Sequence, residues 1–363
     1  MTDRRAFLHR SAAAAAGAIV GGCAHQQRDR RPDDERANHL PRWRGFNLLE
    51  MFTTRSKGDF AEDDFRWMRD WGFDFARIPM CYTLWTEGDD VYQIDESMLE
   101  NVDRVVEYGA QYGIHISLNF HRAPGYSVNR ERTEPFNLWQ DQDALDAFCF
   151  HWALFARRYR GISSDRLSFN LVNEPTAPGR DMTRRDHERV IRAAVDAVRE
   201  IDSDRLVIVD GLSWGRKPVP ELCDLNVAQS TRAYDPMSVT HYQAEWVDED
   251  DWPAPTWPGR YRGKKWDRQA LEKHYRPWIE LMQRGVGVHC GEGGAYNRTP
   301  HDVVLRWLED VLEILAEAGI GFALWNLRGS FGVLDSGRHD VAYEDWHGHQ
   351  LDRELLTLLQ RYG

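Results

Sequence analysis

Alternation constrains this chain more than any other feature. From Arg42 onward, short apolar runs alternate with longer stretches whose apolar residues recur at helical spacing. The runs predict strands at 44–49, 73–78, 114–119, 166–172, 205–209, 226–231, 286–290 and 320–325. Several are nearly unbroken, as in Leu206-Val207-Ile208-Val209, which suits strands covered on both faces. Between them, 95–112 carries Leu99, Val102, Val105, Val106 and Ala110 on one stripe, with Asp95 placed to cap it. Residues 141–160 align Leu145, Phe148, Trp152 and Phe155, and 183–201 align Val190, Ala194, Val195 and Val198. Thr299-Pro300 reads as a cap followed by Pro at the first helical position of a helix running to 318. Leu355, Leu358 and Leu359 mark a closing helix over 351–361. Strands alternating with helices over about 320 residues predict an α/β fold, a (β/α)8 TIM barrel forming a single catalytic domain over 41–363. A doubly wound open sheet is the alternative. It is disfavoured because the first strand, Gly45-Phe46-Asn47-Leu48-Leu49, is followed by no G-x-G-x-x-G.

Composition narrows the function. The formal net charge is −12, which argues against nucleic acid as a partner. The 15 tryptophans are more than a core alone asks for, and several stand in loop-like segments, where indole faces suit sugar rings. The five cysteines, Cys23, Cys81, Cys149, Cys223 and Cys290, have no metal-ligand spacing. His349 with Asp345 is the nearest thing to a metal-ligand pair, and it lies outside the candidate site. No metal or other cofactor is expected.

The amino terminus reads as an address. Arg4-Arg5 before Ala6-Phe7-Leu8 resembles a twin-arginine export signal, and the apolar run Ala12–Val20 is short for a spanning helix. Val20-Gly21-Gly22-Cys23 resembles a bacterial lipobox. The expectation is a signal peptide over 1–22, lipidation at Cys23 and a polar, disordered tether over 23–40. That makes the protein a periplasmic or cell-envelope lipoprotein whose contact with a membrane is its lipid anchor.

Two carboxylates carry the chemistry. Asn173-Glu174-Pro175 follows the fourth predicted strand, and Gly291-Glu292-Gly293-Gly294 follows the seventh. A charged residue at the carboxyl end of a barrel strand reads as catalytic. The flanking glycines are expected to expose Glu292 without crowding a substrate. Glycosidic cleavage needs two such carboxylates about one bond, and ionised Glu292 raises the pKa of Glu174, keeping it protonated as an acid.

These motifs resemble glycoside hydrolase family 5, the cellulase-like (β/α)8 retaining glycosidases, over about residues 42–361. The resemblance implies an acid/base at Glu174 after Asn173, and a nucleophile at Glu292. It also implies that Arg77, in Arg77-Ile78-Pro79, supports the nucleophile, and it matches His121 to the histidine of strand three. Trp325 matches the tryptophan that floors the first sugar subsite. Strand six departs from the pattern. Members have His-x-Tyr, whereas this chain has Arg232-Ala233-Tyr234-Asp235-Pro236. Tyr234 keeps its place as partner of the nucleophile, while Arg232 stands where histidine is usual and, with His241, Trp246 and Trp139, is expected to contact the sugar. A rival alignment uses His241-Tyr242. The first is preferred because Pro236 follows and because 240–246 resembles the next loop of relatives.

Trp246, Trp252, Trp257, Tyr261 and Trp266 either wall the cleft or pack among themselves, and Trp85 and Trp139 are further wall candidates. The predicted activity is retaining hydrolysis of a β-linked glycan or oligosaccharide, glucan first. An exo-acting glycosidase on another sugar, furanosides included, is the alternative within the class. A non-catalytic glycan-binding barrel is the alternative outside it. The presence of Arg77, Asn173 and Tyr234 beside both carboxylates speaks against a binder, which has no use for them.

Overall fold

The computed structural model describes residues 40–88, 90–129, 134–247 and 252–362. The predicted signal, Cys23 and all of the tether except Leu40 lie outside the described residues. Eight parallel strands form the frame: β1 (Arg44–Asn47), β2 (Phe75–Cys81), β3 (His115–Ala123), β4 (Leu167–Asn170), β5 (Leu206–Asp210), β6 (Ala228–Ala233), β7 (Val288–Gly293) and β8 (Gly321–Leu324). Each pairs with the next, and β8 returns to β1, closing the barrel.

Both faces of every strand are buried, but they are not equally apolar. Successive side chains in a strand point to opposite faces. On β2, Ala76, Ile78 and Met80 face the helices and join the main core, while Phe75 and Arg77 face the barrel axis. On β3, Ile116, Leu118 and Phe120 face outward, leaving Ser117, Asn119 and His121 for the interior. The outer face supplies most of the stability, at about 1.5–3 kcal/mol for each large apolar side chain fully buried. A second, small cluster of Trp43, Phe75, Leu206, Ile208, Ala228 and Ala323 fills the axis below the site. Trp43 stacks on His115 there at 3.7 Å between ring centroids. Above this plug the inward positions turn polar. The unbroken apolar character expected of the strands therefore holds for β5 up to Val209 and fails on most inner faces.

The helices over Glu96–Tyr112, Gln142–Arg158, Arg184–Arg199 and Arg353–Arg361 lie where the apolar stripes place them. Asp95 caps the first by accepting from Ser97 N, and Gly113 ends it at φ +69°. Thr183 and Asp186 form a capping box on the third. The helix His301–Glu317 begins differently from expectation. Pro300 is the cap position, Thr299 Oγ1 donates to Val239 O instead, and Asp340 accepts the first free amide, that of His301. Two long helices among the described residues had no predicted counterpart, Glu62–Asp70 and Arg268–Met282, the second with Pro277 inside it. Between β5 and β6 stand only the short turns Leu212–Gly215 and Pro220–Leu225. Asp345 and His349 lie on opposite arms of a short hairpin, and His349 is held by Asp335 at 2.7 Å. Among the described residues no cluster suits a metal ion.

Candidate active site

Glu292 reaches the barrel axis through an irregularity. Along β7, Cys290 packs outward and Gly291 lies against Ser230 and Arg232 inside the barrel. Strict alternation would turn Glu292 out. The pairing with β6 instead runs from Cys290↔Thr231 to Glu292↔Arg232, so one extra residue is accommodated. A β-bulge of this kind re-aims a side chain, here from the helices to the axis. Gly291 is required by the neighbouring strand: a Cβ there would sit 2.7 Å from Ser230 Oγ and 3.3 Å from Arg232 Nη1. Close packing against the β6 side chains is thus a reason for this glycine that the sequence did not show.

Arg77 donates to Glu292 Oε1 at 2.5 Å through Nη1. Its other nitrogens are spoken for: Nε by Asn170 Oδ1 at 2.8 Å and Nη2 by Asn173 Oδ1 at 2.8 Å. Asn47 Oδ1 also accepts from Nη1 at 3.0 Å, and its amide is tied to Gly291 O and Leu324 O. A guanidinium gripped from four sides holds its direction, and so does the carboxylate it grips. Tyr234 donates to the other oxygen, Oε2, at 3.3 Å.

Glu174 follows β4 with its backbone at φ +45°, uncommon for a residue with a Cβ. Its N–H donates to Asp210 Oδ2 at 2.9 Å, and Tyr126 Oη donates to its carbonyl at 2.7 Å. Arg232 Nε donates to Glu174 Oε1 at 2.9 Å, while Nη2 of the same guanidinium lies 3.1 Å from Glu292 Oε1. One planar group therefore spans both carboxylates. Burial, reinforced by the charge of Glu292, pushes the Glu174 carboxyl up to about 7, although Arg232 pulls the other way. Buried His121 is held neutral, well below the usual imidazole range, by desolvation and by Arg77 and Arg232. Its Nε2 lies 3.3 Å from Asn173 Nδ2, so Asn173 is fixed by Arg77 on one side and His121 on the other.

The profile of the cellulase family, glycosyl hydrolase family 5, matches residues 34–330. The chain belongs to glycosyl hydrolase family 5. It is an O-glycosyl hydrolase acting with retention of configuration. Endoglucanase C of Acetivibrio thermocellus is 27% identical over 334 residues, covering 83% of this chain and 95% of that one. Cellodextrinase A of Ruminococcus flavefaciens is 22% identical over 266 residues, covering 71% and 76%. A glycoside hydrolase of known crystal structure is 41% identical and superposes with a TM-score of 0.84, covering 88% of this chain and 99% of that one.

The remaining predicted residues of this family 5 hydrolase divide into rim and core. Trp325 follows β8, half-buried, with Phe52 edge-on at 5.4 Å and His121 at 5.5 Å. Trp246 is 58% exposed and packs edge-on against Tyr296 at 4.9 Å. His241 connects that rim to Tyr234, 5.2 Å between centroids. Burial holds His241 down at about 4. Trp139 and Trp85 are not walls. Trp139 is buried against Tyr126 and His187, behind Glu174. Trp85 is wholly buried among Phe120, His151 and Phe155. Both lie where helices cover the sheet, so their apolar bulk serves the core. Of the 246–266 aromatics, Trp257 and Trp266 are buried and Trp252 packs on Tyr261, so most of that segment packs among itself. Arg232, expected against the sugar, is 1% exposed and faces carboxylates on the axis.

Sequence reading missed Phe52, Tyr296 and Phe331 of the aromatic rim, which no motif marks, and two residues beside Glu174. Asp210, ending β5, is fully buried and ion-paired with Arg232. Its signal was an aspartate terminating an apolar run. Trp214 is 39% exposed beside the loop after Glu174, its N–H donating to Pro175 O at 3.0 Å. Ser213 and Trp214 both adopt left-handed backbone, φ +57° and +58°, and Gly215 continues it where a Cβ would meet Arg232 Cγ at 2.5 Å. A tryptophan between serine and glycine just past a strand end was its sign.

Proposed function

We propose that the chain hydrolyses β-linked glucans, with Glu174 as acid/base and Glu292 as nucleophile. The observation that carries the reading is the asymmetry between two carboxylates held on one guanidinium. Glu292 also receives Arg77 and Tyr234, two donors that aim the carboxylate and fix its direction. Glu174, buried and pushed up to about 7, can hold a proton. In the first step Glu292 attacks the anomeric carbon as Glu174 gives its proton to the departing glycosidic oxygen, leaving a glycosyl ester on Glu292. In the second, ionised Glu174 takes a proton from water, the water oxygen attacks the anomeric carbon, and the bond from that carbon to Glu292 breaks, releasing the carboxylate that Arg77 and Tyr234 receive.

Substrate positions follow from that assignment. Trp325 and Phe52 stand near the axis beside His121, suited to the sugar that reacts. Trp214 adjoins the Glu174 loop, on the side from which the leaving group is protonated. The rim of Trp246, Tyr296, His241 and Phe331 extends an aromatic surface beyond one ring. Several aromatic platforms along a cleft favour a chain of sugars, in keeping with the endoglucanase and cellodextrinase names of the relatives.

A panel of soluble β-glucan, mannan, xylan and nitrophenyl glycosides tests this. The expected result is oligosaccharide release from β-glucan, with kcat/KM falling as pH rises through about 7, because Glu174 loses its proton there. Activity confined to another sugar, or an alkaline limb far from neutrality, contradicts the reading.

A further inference from the structure

The strand-six arginine brings a second oddity with it. Glu174 must be protonated when the bond breaks, yet Arg232, a permanent cation, donates to it at 2.9 Å. An unneutralised guanidinium at that distance would strip the proton. Asp210 is the only other carboxylate among the described groups that ion-pair with Arg232, besides Glu174 and Glu292. Its Oδ2 contacts Arg232 Nη2 and accepts the Glu174 backbone N–H, while Oδ1 takes the Asn170 amide at 2.9 Å. Asp210 also lies 3.7 Å from Arg77 Nη2.

We propose that Asp210 is a positioning residue for the acid step: it cancels the charge of Arg232, so that Arg232 can orient Glu174 without deprotonating it. The proposal rests on the reading of Glu174 as acid/base. Charge counting gives its direction. The groups facing Glu174 are Arg77 from β2, Asp210 from β5, Arg232 from β6 with Tyr234 just past its end, and Glu292 from β7. His121 from β3 and Tyr126 from the hairpin beyond it complete the shell, and burial keeps both of them and Tyr234 neutral. Two cations thus meet two anions, and the site is neutral when Glu174 is protonated. Without Asp210 the site carries one excess positive charge, which ionised Glu174 would cancel. Without Arg232 it carries one excess negative charge, which protonated Glu174 avoids enlarging. The two losses therefore move the Glu174 proton in opposite directions. In the second step the same donor from Arg232 steadies ionised Glu174 as it takes the proton from water, so the pair serves both halves of the reaction.

The test is the pH dependence of kcat/KM on a β-glucan oligosaccharide for Asp210→Asn, Arg232→Gln and the double variant. Asp210→Asn is expected to move the alkaline limb down by about one to two pH units. That costs about tenfold at pH 7 and little at pH 5. A dinitrophenyl glycoside, whose leaving group needs no proton, should lose less than about threefold in kcat/KM. Arg232→Gln is expected to move the limb up, and the double variant to return it near the wild-type position. Should Asp210→Asn fail to fold, the double variant against Arg232→Gln carries the comparison. Shifts of the same sign in both single variants, equal losses on both substrates, or a limb unmoved by the double change relative to Arg232→Gln overturn the proposal. Glu174→Gln separates it from its premise. If the alkaline limb persists in that variant, Glu174 is not its source and the acid/base reading fails. If the limb vanishes there but ignores Asp210→Asn, this proposal alone fails.

Discussion

Glu292→Ala is expected to lower turnover of β-glucan by at least about ten-thousandfold, since no other group can form the glycosyl ester. Loss of fold is not the expected cause. The cavity lies on a polar axis, outside the apolar cores. The change leaves Arg77 Nη1 with Asn47 as a partner, and it strands the Tyr234 hydroxyl. A stranded buried donor costs about 1–3 kcal/mol, which a domain of this size tolerates. The near-UV circular dichroism of the variant should match that of the wild type. The empty position also gives a chemical signature. Azide supplied to Glu292→Ala can enter from the nucleophile's side and attack an activated β-glycoside once, yielding the α-glycosyl azide. Wild-type-like turnover in this variant, or the β-azide as product, would assign the two glutamates wrongly.

The second large effect belongs to Glu174. Glu174→Ala is expected to reduce kcat/KM on natural oligosaccharides by about a hundredfold to ten-thousandfold, the usual range for a lost general acid. On a dinitrophenyl glycoside the first step should survive, because that leaving group departs without a proton. Its second step should not, because water is no longer deprotonated. The glycosyl ester then accumulates, so kcat and KM fall together while kcat/KM is nearly preserved. Azide should restore turnover and give the β-glycosyl azide, the opposite anomer from the Glu292 variant. Equal losses on all leaving groups would mean that Glu174 acts by structure alone. Removing it frees Arg232 Nε and the left-handed turn at Glu174, so stability should be compared by thermal melting in the same samples.

The sequence was informative where chemistry and period agree. Glu174 could be found because Asn173 and Pro175 frame it just past an apolar strand. Glu292 could be found as a carboxylate among glycines, but its direction could not, because period-two alternation turns it the wrong way and only the bulge at Gly291 turns it back. Asp210 was hidden for a related reason. Leu206-Val207-Ile208-Val209 reads as a strand buried on both faces, and alternation alone does not reveal that the next inward position enters a polar axis. Arg232 was noticed as a departure, yet its role depends on Asp210, far away in sequence and adjacent across β5 and β6. Trp139 and Trp85 show the converse error. Tryptophan suits a sugar and a core equally, and only burial tells the two apart. The helix Arg268–Met282 escaped because Pro277 interrupts its pattern.

The most direct measurement concerns the ester on Glu292. A 2-deoxy-2-fluoro β-glycoside with an activated leaving group slows release of the glycosyl ester more than its formation, so the intermediate accumulates. Incubation with the wild-type enzyme, peptic digestion and tandem mass spectrometry are expected to find one sugar added per molecule, on the peptide holding Gly291-Glu292-Gly293 and at Glu292 itself. A label on Glu174 or Asp210, or an enzyme that turns over the natural glycan yet never carries the label, would contradict the account.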